Sequence, residues 1–158
     1  MSEDFLKQML PQLAASVPHM AALGLTLHGV DGKAVDLRAE WREDLVGDPD
    51  TDILAGGLVT TMLDHVGGLA TWCALGRFQS IATLDLRVDY MRAARPRSGL
   101  IARAECYRLT HNVAFVRGWA FEDDPDDLVA ASQAAYVLTA DSGKRLGANL
   151  RPRKADGE

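Results

Sequence analysis

Apolar positions change their period several times along the chain, and the changes divide it into elements. Phe5, Leu6, Met9, Leu10, Leu13 and Val17 recur at helical spacing and predict an amphipathic helix over 5–23, which Pro11 and Pro18 can split or shorten. From Leu23 the period falls to two. Leu25 and Leu27 alternate with Thr26 and His28, Asp31-Gly32 is a hairpin turn, and Val35, Leu37, Ala39 and Trp41 mark the return strand. Residues 43–54 read as a polar connection carrying Asp44, Gly47, Asp48, Pro49, Asp50 and Asp52. A long helical period then runs from Gly56 to about Leu75, with Gly76 as its C-terminal cap. Four strand-like runs follow, roughly 81–91, 100–109, 113–121 and 128–139, separated by Pro, Gly, Asn and Asp turn residues. In the first of them, strict alternation puts Leu84, Leu86, Val88 and Tyr90 on one face and Thr83 on the other. The order helix, two strands, helix, four strands lacks repeated strand–helix–strand units. It predicts an α+β fold, an antiparallel sheet with one long helix packed on it. The reading gives one domain over 1–140 and a mobile tail over 141–158, where no apolar period continues.

The long helix holds the candidate chemistry. One stripe is apolar: Leu58, Val59, Met62, Leu63, Val66, Leu69 and Cys73. A second is nearly all small: Gly57, Thr60, Thr61, Asp64, Gly67, Gly68 and Thr71. An interior glycine costs a helix about 1 kcal/mol relative to alanine. Repeated glycines therefore imply close approach by another backbone or a ligand. Asp64 is the carboxylate on this stripe and a candidate general base. His65 points about 100° away from it on a helix, so the two form no dyad by themselves. Gly56-Gly57 opens the helix with free N–H groups suited to an anion or a developing oxyanion. Gly56 and Asp64 lie about 12 Å apart along the helix, too far for both to act on one carbonyl. Two antiparallel copies of the helix would bring Gly56 of one to Asp64 of the other, as a two-fold dimer does.

Composition narrows the classes. The 158 residues include 17 Lys and Arg against 22 Asp and Glu, a net charge of −5 that argues against a general nucleic-acid binder. No apolar run is long enough to cross a membrane, and the acidic start Met1-Ser2-Glu3-Asp4 is unlike a signal peptide. Cys73 and Cys106 form neither a CxxC pair nor a disulfide framework and read as reduced thiols of a cytoplasmic protein. His19, His28, His65 and His111 have no ligand spacing, so no metal site is expected.

Ala55-Gly56-Gly57 followed by Leu63-Asp64 and Gly67-Gly68 resembles the His-Gly-Gly…Asp…Gly-x-Ala signature of the hotdog-fold thioesterases. Within them the similarity is to the PaaI-like phenylacetyl-CoA thioesterase group and its THEM-type relatives. The runs Ala82–Met91 and Gly99–Ala104 are similar to that family's third and fourth strands. The resemblance covers about residues 22–140. It implies a six-stranded antiparallel sheet around a central helix, a homodimer often paired into a tetramer, and hydrolysis of acyl- or aryl-CoA thioesters without metal or redox cofactor. By position it implies Gly56 as the N–H donor to the thioester oxygen. Asp64 corresponds to the catalytic carboxylate from the opposite subunit, acting on water or as nucleophile. Thr83 corresponds to a residue that orients the water. Two positions depart from the pattern: Ala55 stands where the family has a His that positions loop and thioester, and Pro49 stands where relatives carry an Asn. Asp48, beside it, is a substitute polar group, and Gly57 shares the helix start with Gly56. Arg92, Arg95 and Arg97, with Arg103 nearby, are candidates for the CoA phosphates, which an acidic protein must hold with local positive charge. Two other readings stay open: a non-catalytic acyl-CoA binder or sensor, which Ala55 favours, and an enoyl-thioester hydratase or dehydratase using His65.

Overall fold

The computed structural model describes residues 9–12, 16–32 and 34–139; the tail expected from 141 lies outside them, as does the beginning of the predicted first helix. Backbone at 9–12 is helical, and a short helix α1 spans Pro18–Leu23. Pro18 does what a proline at the first helical position does. Its preceding residue, Val17, is forced extended at φ −82° and ψ 112°, and Gly24 at φ 66° ends the helix.

Strands β1 (Thr26–Asp31) and β2 (Ala34–Ala39) form the predicted hairpin, turning through Gly32 at φ 58°. The stretch expected as a plain polar connection contains more order than that. A 3-10 turn at Glu43–Leu45 leads into a two-stranded hairpin of β3 (Val46–Asp48) and β4 (Ile53–Leu54). Its anchors are Leu45 and Leu54, both buried. Four apolar residues in two adjacent pairs, Leu45-Val46 and Ile53-Leu54, among many acids give no period, so the apolar pattern does not reveal this hairpin.

Helix α2 spans Gly56–Leu75 and ends at Gly76, φ 64°. Strands β5 (Ile81–Tyr90), β6 (Leu100–Leu109), β7 (Val113–Phe121) and β8 (Ala130–Leu138) follow. With β1 and β2 they make a six-stranded sheet in the order β1-β2-β6-β7-β8-β5, every neighbouring pair antiparallel. Helix α2 packs across one face, against β2 and β5 through β8. The helix brings Leu58, Val59, Met62, Leu63, Val66 and Leu69, all buried. The facing strands bring small residues, Ala102, Ala104, Ala114, Ala120 and Ala130, each fully buried. Large side chains on the helix thus pack against alanines on the sheet, which lets the two layers approach closely. Cys73, expected in this stripe, is only partly buried at its margin.

Strand β5 departs from strict alternation. Thr83 pairs with Tyr136 and Asp85 with Ala135, so Leu84 is an extra residue in the ladder. This bulge shifts the alternation by one. Leu84 turns out to 59% exposure, while Leu86 and Val88 pack on the core. The expectation that Thr83 lies opposite the face of Leu86, Val88 and Tyr90 is therefore wrong. The bulge returns Thr83 to the helix-facing side.

Candidate active site

Asp64 lies midway along α2, and the bulged end of β5 and the far end of β8 cross the helix beside it. Thr83 Oγ1 donates to Asp64 Oδ1 at 2.8 Å. The Tyr136 hydroxyl donates to the Asp64 backbone oxygen at 2.8 Å and lies 3.4 Å from Oδ1. Thr83 and Tyr136 are directly paired across β5 and β8, so one rung of the sheet delivers both hydroxyls. Oδ2 accepts no hydrogen bond among the described residues. These groups border a cleft of about 230 Å³ whose other walls include Met20, His65, Leu69 and Trp72. The Trp72 ring is fixed by its Nε1 donating to the Gln79 oxygen at 2.8 Å. His65 meets His19 of α1 edge-on, with ring centroids 5.6 Å apart. Burial pushes the His65 imidazole below its ordinary value and the charge of His19 adds to this, while Asp64 opposes it.

The small stripe of α2 is used within the chain. A Cβ on Gly67 would overlap the Tyr136 hydroxyl and sit 3.0 Å from its ring carbon Cζ, and one on Gly68 would touch Ile81. Glycine at 67 is what lets β8 bring a tyrosine onto the helix backbone. Tyr136 was not singled out from the sequence. Its signal is faint: along β8 the buried positions are Ala130, Ser132, Ala134, Tyr136 and Leu138, and one of them carries a polar-tipped ring. Burial, reinforced by the Asp64 carboxylate, drives that phenol far above its ordinary value, so it stays a neutral donor.

At the other end, Ala55 precedes the helix in extended conformation, φ −61° and ψ 137°. Its N–H donates to Leu45 oxygen at 2.9 Å. Gly56 and Gly57 are exposed, and their N–H groups donate to no other described residue. Tyr90, on β5, donates its hydroxyl to the Gly56 oxygen at 2.6 Å and lies 2.7 Å from the Thr60 hydroxyl. This clasp holds the first turn of α2. The β3–β4 hairpin holds it from the other side: a Cβ on Gly47 would come within 2.9 Å of Ala55 Cα. Asp48 is exposed and spends Oδ1 on the Asp50 N–H at 3.0 Å, closing the hairpin turn.

The candidate arginines lie apart from Asp64 and each pairs with an acid of this chain. Arg92 bonds Glu122 Oε1 at 3.0 Å and Asp127 Oδ1 at 2.9 Å. Arg95 reaches Asp123 at 2.8 Å, and its backbone N–H donates to Glu122 at 2.8 Å. Arg97 reaches Asp52 at 2.8 Å with its guanidinium 5.5 Å from the centre of the Trp41 ring. Arg103 clasps Asp36 through two bonds of 2.7 Å. Burial raises the Glu122 carboxyl, but the bonds from Arg92 and Arg95 outweigh it and hold it below its usual value. Among the described residues no three His, Cys, Asp or Glu side chains converge to hold a metal ion, and no helix is long and apolar enough to cross a membrane.

A six-stranded antiparallel sheet wrapped on one long helix defines the hotdog fold. The Thioesterase superfamily model matches residues 52–129, and the chain belongs to that family. It is similar to the medium/long-chain acyl-CoA thioesterase YigI of Salmonella typhimurium, 27% identical over 87% of this chain and 96% of YigI. A Halobacterium salinarum relative is 33% identical over 97 residues, and the match spans 63% of that protein's length. Among solved structures, a Pseudomonas aeruginosa protein superimposes with TM-score 0.77 at 36% identity, covering 85% of this chain and 99% of that one. A phenylacetic acid degradation-related protein from Ralstonia eutropha gives 0.69 at 26% identity, with 83% and 98% covered.

Proposed function

We propose that the protein is a cytoplasmic acyl-CoA thioesterase working as a homodimer, itself able to pair into a tetramer, with each active site built from two copies. The observation that carries this reading is the Thr83–Asp64 hydrogen bond at the mouth of the cleft. Thr83 spends its proton on Oδ1, so its oxygen lone pairs remain to accept from a water. That water donates its other proton to Asp64 Oδ2. As the water oxygen bonds the thioester carbon, the proton passes to Oδ2 and negative charge develops on the carbonyl oxygen. The N–H of Gly56, with Gly57 beside it, stabilises that charge from a second copy, because one helix spaces Gly56 and Asp64 about 12 Å apart. The tetrahedral intermediate then collapses, the C–S bond breaks, and the CoA thiolate takes the proton back from Asp64. A thioester has a good leaving group, so the step calls for no cofactor beyond the CoA of the substrate.

The acyl or aryl group would occupy the cleft between Met20, Leu69 and Trp72. Ala55 and Asp48 shape the loop over the second copy's thioester. Arg95 and Arg97, the more exposed of the three arginines, offer their remaining N–H groups to the CoA phosphates, while Arg92 holds the loop. Strand β5 is an edge of the sheet with Leu84 exposed, and it is the strand that would pair with its copy across the dimer.

CoA release from a panel of aryl and C2 to C16 acyl-CoAs tests this. Wild type should turn over at least one class, and Asp64→Asn, matched for folding and oligomeric state, should lose about 10²-fold or more. His65 borders the same cleft and supports a hydratase reading instead. Hydration of crotonyl-CoA that is lost in His65→Ala and kept in Asp64→Asn would favour it. CoA binding without any release would favour a sensor.

A further inference from the structure

Resting on that thioesterase reading, we infer that Tyr136, seated by Gly67, is a positioning residue that commits one oxygen of Asp64 to the protein and leaves the other for the reaction. Three observations carry it. The phenol is 2% exposed and its hydroxyl is within 2.8 Å of the Asp64 backbone oxygen and 3.4 Å of Oδ1. Thr83 donates to the same Oδ1 from the paired position across the sheet. Glycine at 67 is a spatial requirement of this arrangement, since any side chain there would displace the hydroxyl.

The consequence is directional. A carboxylate on a helix can swing about its side-chain torsions and present either oxygen. Thr83 donates to Oδ1, and the Tyr136 hydroxyl, whose one proton goes chiefly to the backbone oxygen, closes in on the same Oδ1 at 3.4 Å. The rotamer is thereby held, and Oδ2 is the oxygen left without a hydrogen bond among the described residues. The backbone bond adds to this, because the Asp64 carbonyl is tied to β8 and the helix turn bearing the carboxylate cannot shift relative to the sheet. Tyr136 never needs to touch the substrate. Its effect passes entirely through Asp64, and an orientation effect of this kind acts on the chemical step more than on binding.

The test is a double-mutant cycle on CoA release with wild type, Tyr136→Phe, Asp64→Asn and the double variant, each followed for kcat and KM. Tyr136→Phe removes one oxygen and no carbon, so the core stays filled. It should lower kcat about 10-fold, the upper range for a bond to a neutral carbonyl oxygen, with KM within about twofold. In the Asp64→Asn background the same change should have no further effect beyond about twofold. Gly67→Ala should reproduce the loss, and combining it with Tyr136→Phe should make kcat no worse. Wild-type kcat in Tyr136→Phe overturns the inference. So does an equal loss in both backgrounds, which would mark a role in the fold alone. In either case an inactive Asp64→Asn leaves the thioesterase reading standing. An Asp64→Asn at the wild-type rate removes Asp64, and this inference with it, from the mechanism, and only a wild type that releases no CoA from any thioester removes the thioesterase reading.

Discussion

A carboxylate acquires a role from the groups that occupy its lone pairs and from those that change charge beside it. At Asp64 the first are Thr83 and Tyr136, and the second is His65, next along the helix. Burial, helped by the charge of His19, disfavours the imidazolium in the folded protein, against an unfolded value of 6.5. The unfolded chain therefore takes up this proton more readily. Stability from the neutral ring is fully present above pH 6.5 and is lost as pH falls below it, towards the lower folded value. Thermal midpoints at pH 7.5 and 5.5 should drop less in His65→Gln than in wild type. Equal drops in the two proteins would show that His65 contributes nothing to acid sensitivity. At this scale the sequence was informative about Asp64, because a lone charge on a stripe of glycines and threonines stands out. Tyr136 was hidden, because alternation along β8 assigns it an ordinary core place and the sheet alone puts it opposite Gly67.

Elements were legible where one period runs long and ends on a stop. Helix α2 has twenty residues of helical period and Gly76 beyond them, and four strands end on Pro, Asn or Asp turns. The bulge at Leu84 was not legible, since an extra residue in a ladder exists only relative to the partner strand. It decides whether Thr83 faces the helix, so the most consequential local feature of the site is one that pairing creates. The loop between β5 and β6 likewise shows only its cations in the local sequence, because the acids that pair them return from the β7–β8 turn. Glu122, 2% exposed at its side chain, receives Arg92 and the Arg95 N–H and joins the two loops. Removing it leaves Arg92 with Asp127 but strips a buried ion pair. Glu122→Ala should cost about 1–3 kcal/mol of unfolding free energy in urea titration, because the Arg95 N–H loses its acceptor while Arg92 keeps Asp127. A loss under about 1 kcal/mol would mean the pair only breaks even with solvent.

For the molecule as a whole, antiparallel strands without alternating helices were enough to place the chain in the α+β class, and small residues facing large ones explain how a single helix fills the sheet. What one chain leaves open is the partner of its edge, β5, and of the bare N–H groups at Gly56 and Gly57. Both are answered together if the carbonyl is held between the helix start of one copy and Asp64 of another. Gly56→Pro suits the test. Proline is tolerated at the first helical position, Ala55 already has the extended backbone a following proline requires, and the change deletes the N–H. Gly56→Pro and Asp64→Asn should each be nearly inactive alone. Unfolded or dissociated together and reassembled one to one, they should recover about a quarter of wild-type CoA release, because half the dimers are mixed and each holds one intact site. A mixture as inactive as its two components would contradict the two-copy site and place both groups, if they act at all, within a single chain.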